Sequence, residues 1–400
     1  MTLRLANLLA SLSLVTDLGM GYEPEQAIET CLVATALGRH LAVPDEDLAD
    51  IHYTALLLHI GCTAYAHEQA LLVGGDDIAF RGIGSRIDFG NPREAVTGFM
   101  VQVSRHDSLW VRVRTIGSLL TRGNQIGQAT NLATCEVATQ MARRLGLSHS
   151  VQQALAQMFE RWDGKGVPGR LAREDIALPA RVAQVAAQAV LFNRLGGEDL
   201  ALSVVRERAG GALDPEIAAT LFTCGSALLT ELAECDVWEM VLEAEPHPQQ
   251  TVSSVDLDRI ARAFADAIDL KSPYMHGHST EVARLAEAAS HKLGMNADDA
   301  SLVRHAGLFH DLGRAGVSNG VWDKPGPLSI SEWERVRLHP YHSERILKRS
   351  VDLRDVAGIA GMHHERLDGS GYYRQLKARV LPMHVRVLAA ADAFQAMTQA

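Results

Sequence analysis

Ten of the chain's 17 histidines lie between His276 and His384, and several stand in pairs or beside an aspartate. HGHS holds His276 and His278, FHDLGR holds His310 and Asp311, and LHPYH holds His339 and His342. MHHE adds His363 and His364, and AAADAF adds Asp392. Neutral imidazole and carboxylate together suit Fe, Mn, Zn or Ni rather than Mg, which prefers all-oxygen shells. A carboxylate beside a ligating histidine can bridge two ions through its two oxygens, and two ions sharing a water lower its pKa towards neutrality. A single His-Asp pair is as well explained as a satisfied core group; five such elements in one order are not.

The elements that must position these residues read as helices. Leu257, Ile260, Ala261, Phe264, Ala267 and Ile268 form one apolar stripe at helical spacing. Ser329 with Glu332 three residues on is a capping-box start. Strand-like alternation is rare, and LWVRVRTIG around Trp110 is also read as helix. The fold class expected is all-α.

The stretch AEPHPQQTVSSVD, residues 244–256, is polar and unpatterned and is read as a linker between residues 1–243 and 257–400. The two parts align. FERWDGKG at Phe159 and HERLDGSG at His364 share Glu-Arg, Asp-Gly and a second Gly at an offset of 205. ALLLHIGC and AGLFHDLG align at an offset of 251 with His59 on His310, so the first copy carries 46 extra residues between these landmarks. The chain is an internal duplication, with two helical-bundle domains expected.

A length of 400 residues suits two or three domains, and 47% hydrophobic residues supply a sizeable core. A net charge of −10 argues against a nucleic-acid surface as the main business of the chain. Five scattered cysteines without CxxC spacing read as reduced thiols and give no thiolate metal site. The N-terminal apolar stretch is interrupted by Asn7, Ser11 and Ser13 and lacks a cleavage site, and ALLLHIG is too short to span a bilayer. A cytoplasmic protein with no membrane partner is expected.

From Leu257 to Ala400 the ordered motifs GHS, HDLGR, WDKPGPLS, HPY, HHERLDGSGYY and VLAAADAFQAMT resemble the HD-GYP family. That family is the cyclic-di-GMP phosphodiesterase branch of the HD-domain metallohydrolases. The resemblance implies two HD-type bundles and a dinuclear site of divalent transition metals, Fe, Mn, Ni or Zn. The ligands it implies are His278, His310, Asp311, His339, His363, His364 and Asp392, with Asp311 bridging and a metal-bridging hydroxide attacking a cyclic dinucleotide or related phosphoester. Arg314, where the family has lysine, is implied to hold the phosphate; Asp368, Gly371 and Tyr372 are the implied substrate loop. Three positions depart from the pattern: Tyr373 stands for the proline of Gly-Tyr-Pro, Ser343 for a glycine, and Gln395 for an aspartate. Tyr274 stands where some members place a third-metal glutamate, so two metals are expected.

At the aligned places the first copy has Ala27 for His278, Ile60 for Asp311, Met158 and Phe159 for His363 and His364, and Ala187 for Asp392, with His59 alone surviving. One imidazole cannot hold a metal, so this half is expected to be a metal-free scaffold, regulatory lobe or dimerisation surface. The pair of halves also resembles the HD lobes of actinobacterial LuxR-type regulators, in which nucleic acid is met by a C-terminal module absent from these residues. A sensor lobe that binds nucleotide or metal with little turnover is the alternative to the enzyme.

Overall fold

The computed structural model of the chain describes residues 3–91, 93–95, 97–98 and 109–398, without the side chains of 109–116 and 118–124. Among the described residues, these α-helices make up the first part: α1 (Leu5–Met20), α2 (Gln26–His40), α3 (Asp45–Leu56), α4 (Ala66–Val73), α5 (Asp77–Gly84), α6 (Leu109–Leu145), α7 (His149–Ala156), α8 (Leu178–Arg208), α9 (Pro215–Glu234) and α10 (Val237–Ala244). Eight follow: α11 (Ser254–Asp269), α12 (His278–Lys292), α13 (Ala297–Phe309), α14 (Asn319–Trp322), α15 (Ile330–Arg337), α16 (His339–Leu347), α17 (Arg354–Ala360) and α18 (Met383–Thr398). The all-α expectation holds, and LWVRVRTIG falls within α6. The stripe on α11 is buried at Ile260, Ala261, Phe264, Ala267 and Ile268. The capping box closes α15 as read, Ser329 and Glu332 each accepting the other's backbone N–H. By length and composition α9 is apolar enough to cross a membrane, a feature the search for apolar runs passed over; in the fold Ile217, Leu221 and Leu229 pack into the core.

Residues 244–256 are not a free tether. Thr251–Val252 pairs antiparallel with Leu3–Arg4, the one strand pair among the described residues. Glu245 is 3% exposed and accepts from Arg4 Nε at 3.0 Å and from Tyr53 Oη at 2.7 Å. A buried carboxylate with two fixed donors holds the segment against the first lobe, which its polar composition did not reveal. One hydrophobic cluster runs from Leu3 to Ala391 through both lobes.

Close approaches fix the register of the duplication. A Cβ on Gly61 would lie 2.1 Å from Thr134 O, and one on Gly313 would lie 2.0 Å from His339 O. Asp17 accepts from Ala27 N–H at 3.1 Å, and Asp269 accepts from Ser279 N–H at 2.8 Å. Helices α2 and α12 both start after a left-handed residue, Glu25 (φ 76°) and Gly277 (φ 75°). The offset is therefore 252 up to Gly61 and 205 from Thr134, and the extra segment is 47 residues rather than 46. Gln26, not Ala27, takes the place of His278. Leu58 takes that of His310, His59 that of Asp311, Cys62 that of Arg314 and Thr134 that of His339. The alignment on His59 was a match of residue type; packing of the glycine against the facing helix sets the true register. No ligand position of the second lobe keeps its residue in the first.

The lobes are joined by a buried polar network. Asp77 is fully buried and accepts from Asn319 N–H at 2.7 Å and Arg81 Nη2 at 2.7 Å, with Lys271 Nζ at 3.8 Å. Burial pushes its carboxyl up, but Lys271 and Arg81 outweigh this and hold it below its ordinary value. Gly75 O accepts from Gly320 N–H at 3.0 Å and Ser318 Oγ at 2.7 Å. Replacing Asp77 with alanine leaves two cations buried without their counter-charge. The expected loss is about 3–5 kcal/mol in denaturant unfolding, against about 1 kcal/mol for Asp76→Ala, which removes only the α5 cap at Ala79 N.

Candidate metal centre

The second lobe brings the seven implied ligands together from five stretches. His278 opens α12, and His310 and Asp311 lie at the end of α13. His339 opens α16, His363 and His364 follow α17, and Asp392 lies on α18. Six of the seven are buried and His364 is half-buried.

Three backbone carbonyls orient the imidazoles. Nδ1 of His310 lies 2.7 Å from Gly307 O, that of His339 2.6 Å from Val336 O, and that of His363 2.6 Å from Ala360 O. A carbonyl only accepts, so each Nδ1 carries the proton and each Nε2 presents a lone pair. Yet Nε2 of His339 and Nε2 of His363 face each other at 3.2 Å, and His310 Nε2 is buried with no hydrogen-bond partner. Converging lone pairs in a dry site repel unless a cation lies among them. His278 is oriented differently: its Nδ1 contacts Gln395 Oε1 and its Nε2 lies 3.2 Å from Asp392 Oδ1.

Asp311 divides the cluster. Its Oδ1 lies 3.3 Å from His339 and 3.8 Å from His363; its Oδ2 lies 3.5 Å from His310 and 3.8 Å from His278. Each oxygen thus faces its own pair of imidazoles, the arrangement a bridging carboxylate needs. Asp392 faces His278 and His310 through Oδ1 and His364, at 3.9 Å, through Oδ2. Donor atoms of His278, His310 and Asp392, and separately of His339, His363 and His364, gather closely enough for one ion each. The residues fit the two metals the resemblance implies.

The electrostatics keep Asp311, Asp392, His363 and His364 in their binding forms and pull His278 the other way. Burial pushes Asp311 up, but His310, Arg314 and His339 hold it well below the carboxylate range. Asp392 is likewise pushed up by burial and brought down by His278, His310 and His363. Burial depresses His363 and takes His364 down to about 3, so both are neutral near pH 7. His278 is raised, its two aspartates and Gln395 outweighing burial.

The implied substrate residues are placed less uniformly. Arg314 is 2% exposed, donates from Nη1 to Asp311 Oδ2 at 3.1 Å, and lies 4.2 Å from the Trp322 ring. Its first contact is therefore with the Asp311 carboxylate. The Tyr372 ring lies 4.7 Å from that of His364 at 31°. A Cβ on Gly371 would lie 2.5 Å from His364 O, so the glycine lets the loop close under that ligand. Asp368 is exposed and spends Oδ1 within its own turn, on Ser370 N at 2.9 Å and Ser370 Oγ at 2.7 Å. Tyr274 is exposed, with its ring 6.3 Å from that of His67 in the first lobe.

Sequence reasoning missed several supports. Ser343, noted only as a departure, donates to His310 O at 2.6 Å and accepts from Gly313 N–H at 2.8 Å, tying α16 to the His-Asp turn. Glu365 accepts from Arg374 N–H at 2.7 Å and Leu376 N–H at 2.8 Å and staples the loop, as Glu160 does in the first lobe with Gly169 and Arg170. Gln395, another of the three departures, fixes the His278 tautomer. Gln395→Ala is expected to weaken metal affinity by roughly 10–100-fold without unfolding the chain, as loss of an orienting partner does; titration of the metal-free protein measures it.

The HD domain family profile matches residues 127–217 and 262–400, one stretch in each lobe. The chain is 30% identical over 401 aligned residues to 3′3′-cGAMP-specific phosphodiesterase 3 of Vibrio cholerae, covering 99% of this chain and 87% of that protein. A cyclic di-GMP phosphodiesterase of Thermotoga maritima is 38% identical over 124 residues, 30% of this chain and 34% of that one. The crystal structure of a cyclic GMP-AMP-specific phosphodiesterase from V. cholerae superposes with a TM-score of 0.69 at 24% identity, covering 98% of both chains, and shares the fold. With both lobes matched by the profile and the ordered motifs gathered around one cluster, the chain belongs to the HD domain family, on its HD-GYP branch.

Proposed function

We propose that the second lobe, residues 257–400, is a two-metal phosphodiesterase site for a cyclic dinucleotide. One divalent transition metal (Fe, Mn, Ni or Zn) would be held by His278, His310, Asp311 and Asp392, and the other by Asp311, His339, His363 and His364. The observation that carries this reading is the pair of Asp311 oxygens, each facing two imidazoles whose lone pairs converge. Bound metals supply an activated water and neutralise charge on the phosphate. The chain's own residues do the rest. The carbonyls of Gly307, Val336 and Ala360, together with Gln395, hold each imidazole in its ligating tautomer. Arg314 keeps Asp311 ionised and aimed. Tyr372 lays its ring beside His364, tilted by 31°, where a base or ribose would rest. Arg366 and Arg337, both exposed, act on the Tyr372 hydroxyl electrostatically, and Arg337 also donates to Glu334 at 2.9 Å. Asp368 and Gly371 shape that loop and touch no metal.

The full-length likeness to a 3′3′-cGAMP-specific enzyme makes 3′3′-cGAMP the first substrate to test, with cyclic di-GMP second. Elemental analysis of untagged protein is expected to find close to two transition-metal ions per chain, and the loaded protein to linearise one of these dinucleotides. Metal-replete protein that leaves both intact would refute the reading.

A further inference from the structure

The first lobe did not fill the hollow that its lost ligands left. A cavity of about 780 Å³ remains there, walled by Leu58, His59, Cys62, Met158, Phe159 and Ala187. All six stand at places corresponding to metal ligands or Arg314 in the second lobe. Apolar replacements at these places thus leave the hollow open. The physical reason is the extra segment: Gly84 of α5 and Gly127 of α6, both within it, complete the wall instead of plugging it. The volume lies within the range of pockets for small organic ligands.

The lining says what could enter. Cys62 replaces the buried arginine, and the cations that remain are spent. Arg81 donates to Gly19 O at 2.8 Å, Gln69 Oε1 at 2.6 Å and Asp77 Oδ2 at 2.7 Å. Arg161 is paired with Asp88 and Asp163, and Arg208 with Glu94 and Gln188. Only Lys165 is loosely held, its side chain 71% exposed and 4.0 Å from Asp163. Among the described residues that line the cavity, a phosphodiester would find no unspent guanidinium. An apolar ring would find Phe159 and the Tyr22–His59 pair, whose rings meet edge-on at 5.4 Å. Among the described residues the only hydrogen-bond partner of the His59 ring is the Cys62 thiol at 3.7 Å, a weak contact that leaves the imidazole a group to offer a ligand.

We propose that this cavity is a binding site for a small, largely apolar aromatic molecule carrying at most one negative charge, which Lys165 would meet at the rim. The site is distinct from the metal centre and of opposite chemistry to it. Its wall includes Gln69 and Arg81, and Arg81 reaches through Asp77 to Asn319, where α14 sets Trp322 over Arg314. An occupant would therefore rest on the joint between the lobes.

The test uses the full chain and 1-anilinonaphthalene-8-sulfonate, an aromatic monoanion whose fluorescence rises in apolar surroundings. One saturable site per chain is expected. A Cβ at Gly84 has no neighbour within 4 Å, so Gly84→Phe has room for its ring, and Ala187→Phe is a second, separate change in the wall. Each is expected to weaken binding by at least about tenfold, equivalent to about 1.4 kcal/mol, with circular dichroism and Tm retained. Asp311→Ala is expected to leave the binding in place, which separates this site from the metal centre. Absence of saturable binding, or a loss under about twofold in both folded variants, would overturn the proposal. Neither readout depends on hydrolysis.

Discussion

Replacing Asp311 with alanine is expected to strip the protein of metal and lower kcat by on the order of 10³-fold or more, each tenfold being about 1.4 kcal/mol of barrier. The reason is geometric. One side chain presents an oxygen to His339 and His363 and another to His310 and His278, so its loss removes a donor from both halves of the cluster. Arg314 would then be buried with its carboxylate acceptor gone. Asp311→Asn keeps the shape and one oxygen but removes the charge, and the same loss from it would assign the effect to charge. The checks are elemental analysis, hydrolysis of 3′3′-cGAMP, and a thermal melt showing a folded chain. Retention of both ions in a folded Asp311→Ala protein would remove the bridging role.

The second large effect is expected at a residue that binds nothing. A methyl group on Gly313 would sit 2.0 Å from His339 O and 2.8 Å from Ser343 N, so Gly313→Ala must push α16 away from the His-Asp turn. That movement carries a ligand with it and breaks the Ser343 hydroxyl bridge. An unfolding cost of about 3 kcal/mol is expected for the overpacking, together with metal loss. Gly61→Ala makes the corresponding clash in the first lobe, 2.1 Å from Thr134 O. It is expected to destabilise to a similar extent while metal per folded chain is unchanged. Denaturant unfolding and metal titration of the two variants side by side check this; metal loss in Gly61→Ala would contradict a metal-free first lobe.

The two glycines also mark where reading the chain alone went astray. Residue types placed His59 on His310, and a pattern search had no means to prefer Gly61 on Gly313. Only the approach of one backbone to another, unseen in sequence, decides which glycine cannot change. The departures Ser343 and Gln395 were visible as letters, but their roles were not. A hydroxyl between two backbones, or an amide behind an imidazole, is defined by positions 30 to 117 residues apart on facing elements. Glu245 is a similar case: a charged residue in a polar stretch reads as solvated until Arg4 and Tyr53 are seen to close on it.

The sequence by itself determined the helical class, the duplication, and the seven histidines and aspartates that gather in one cluster, because periodicity and ordered local motifs are written within a few residues of one another. The tertiary structure alone decided which imidazole faces which carboxylate oxygen, that Arg314 serves Asp311 first, and that the first lobe kept a hollow where ligands had been. Those outcomes depend on long-range packing, where an inserted segment or one missing methyl group shifts a whole helix. Local pattern carries no record of such distances.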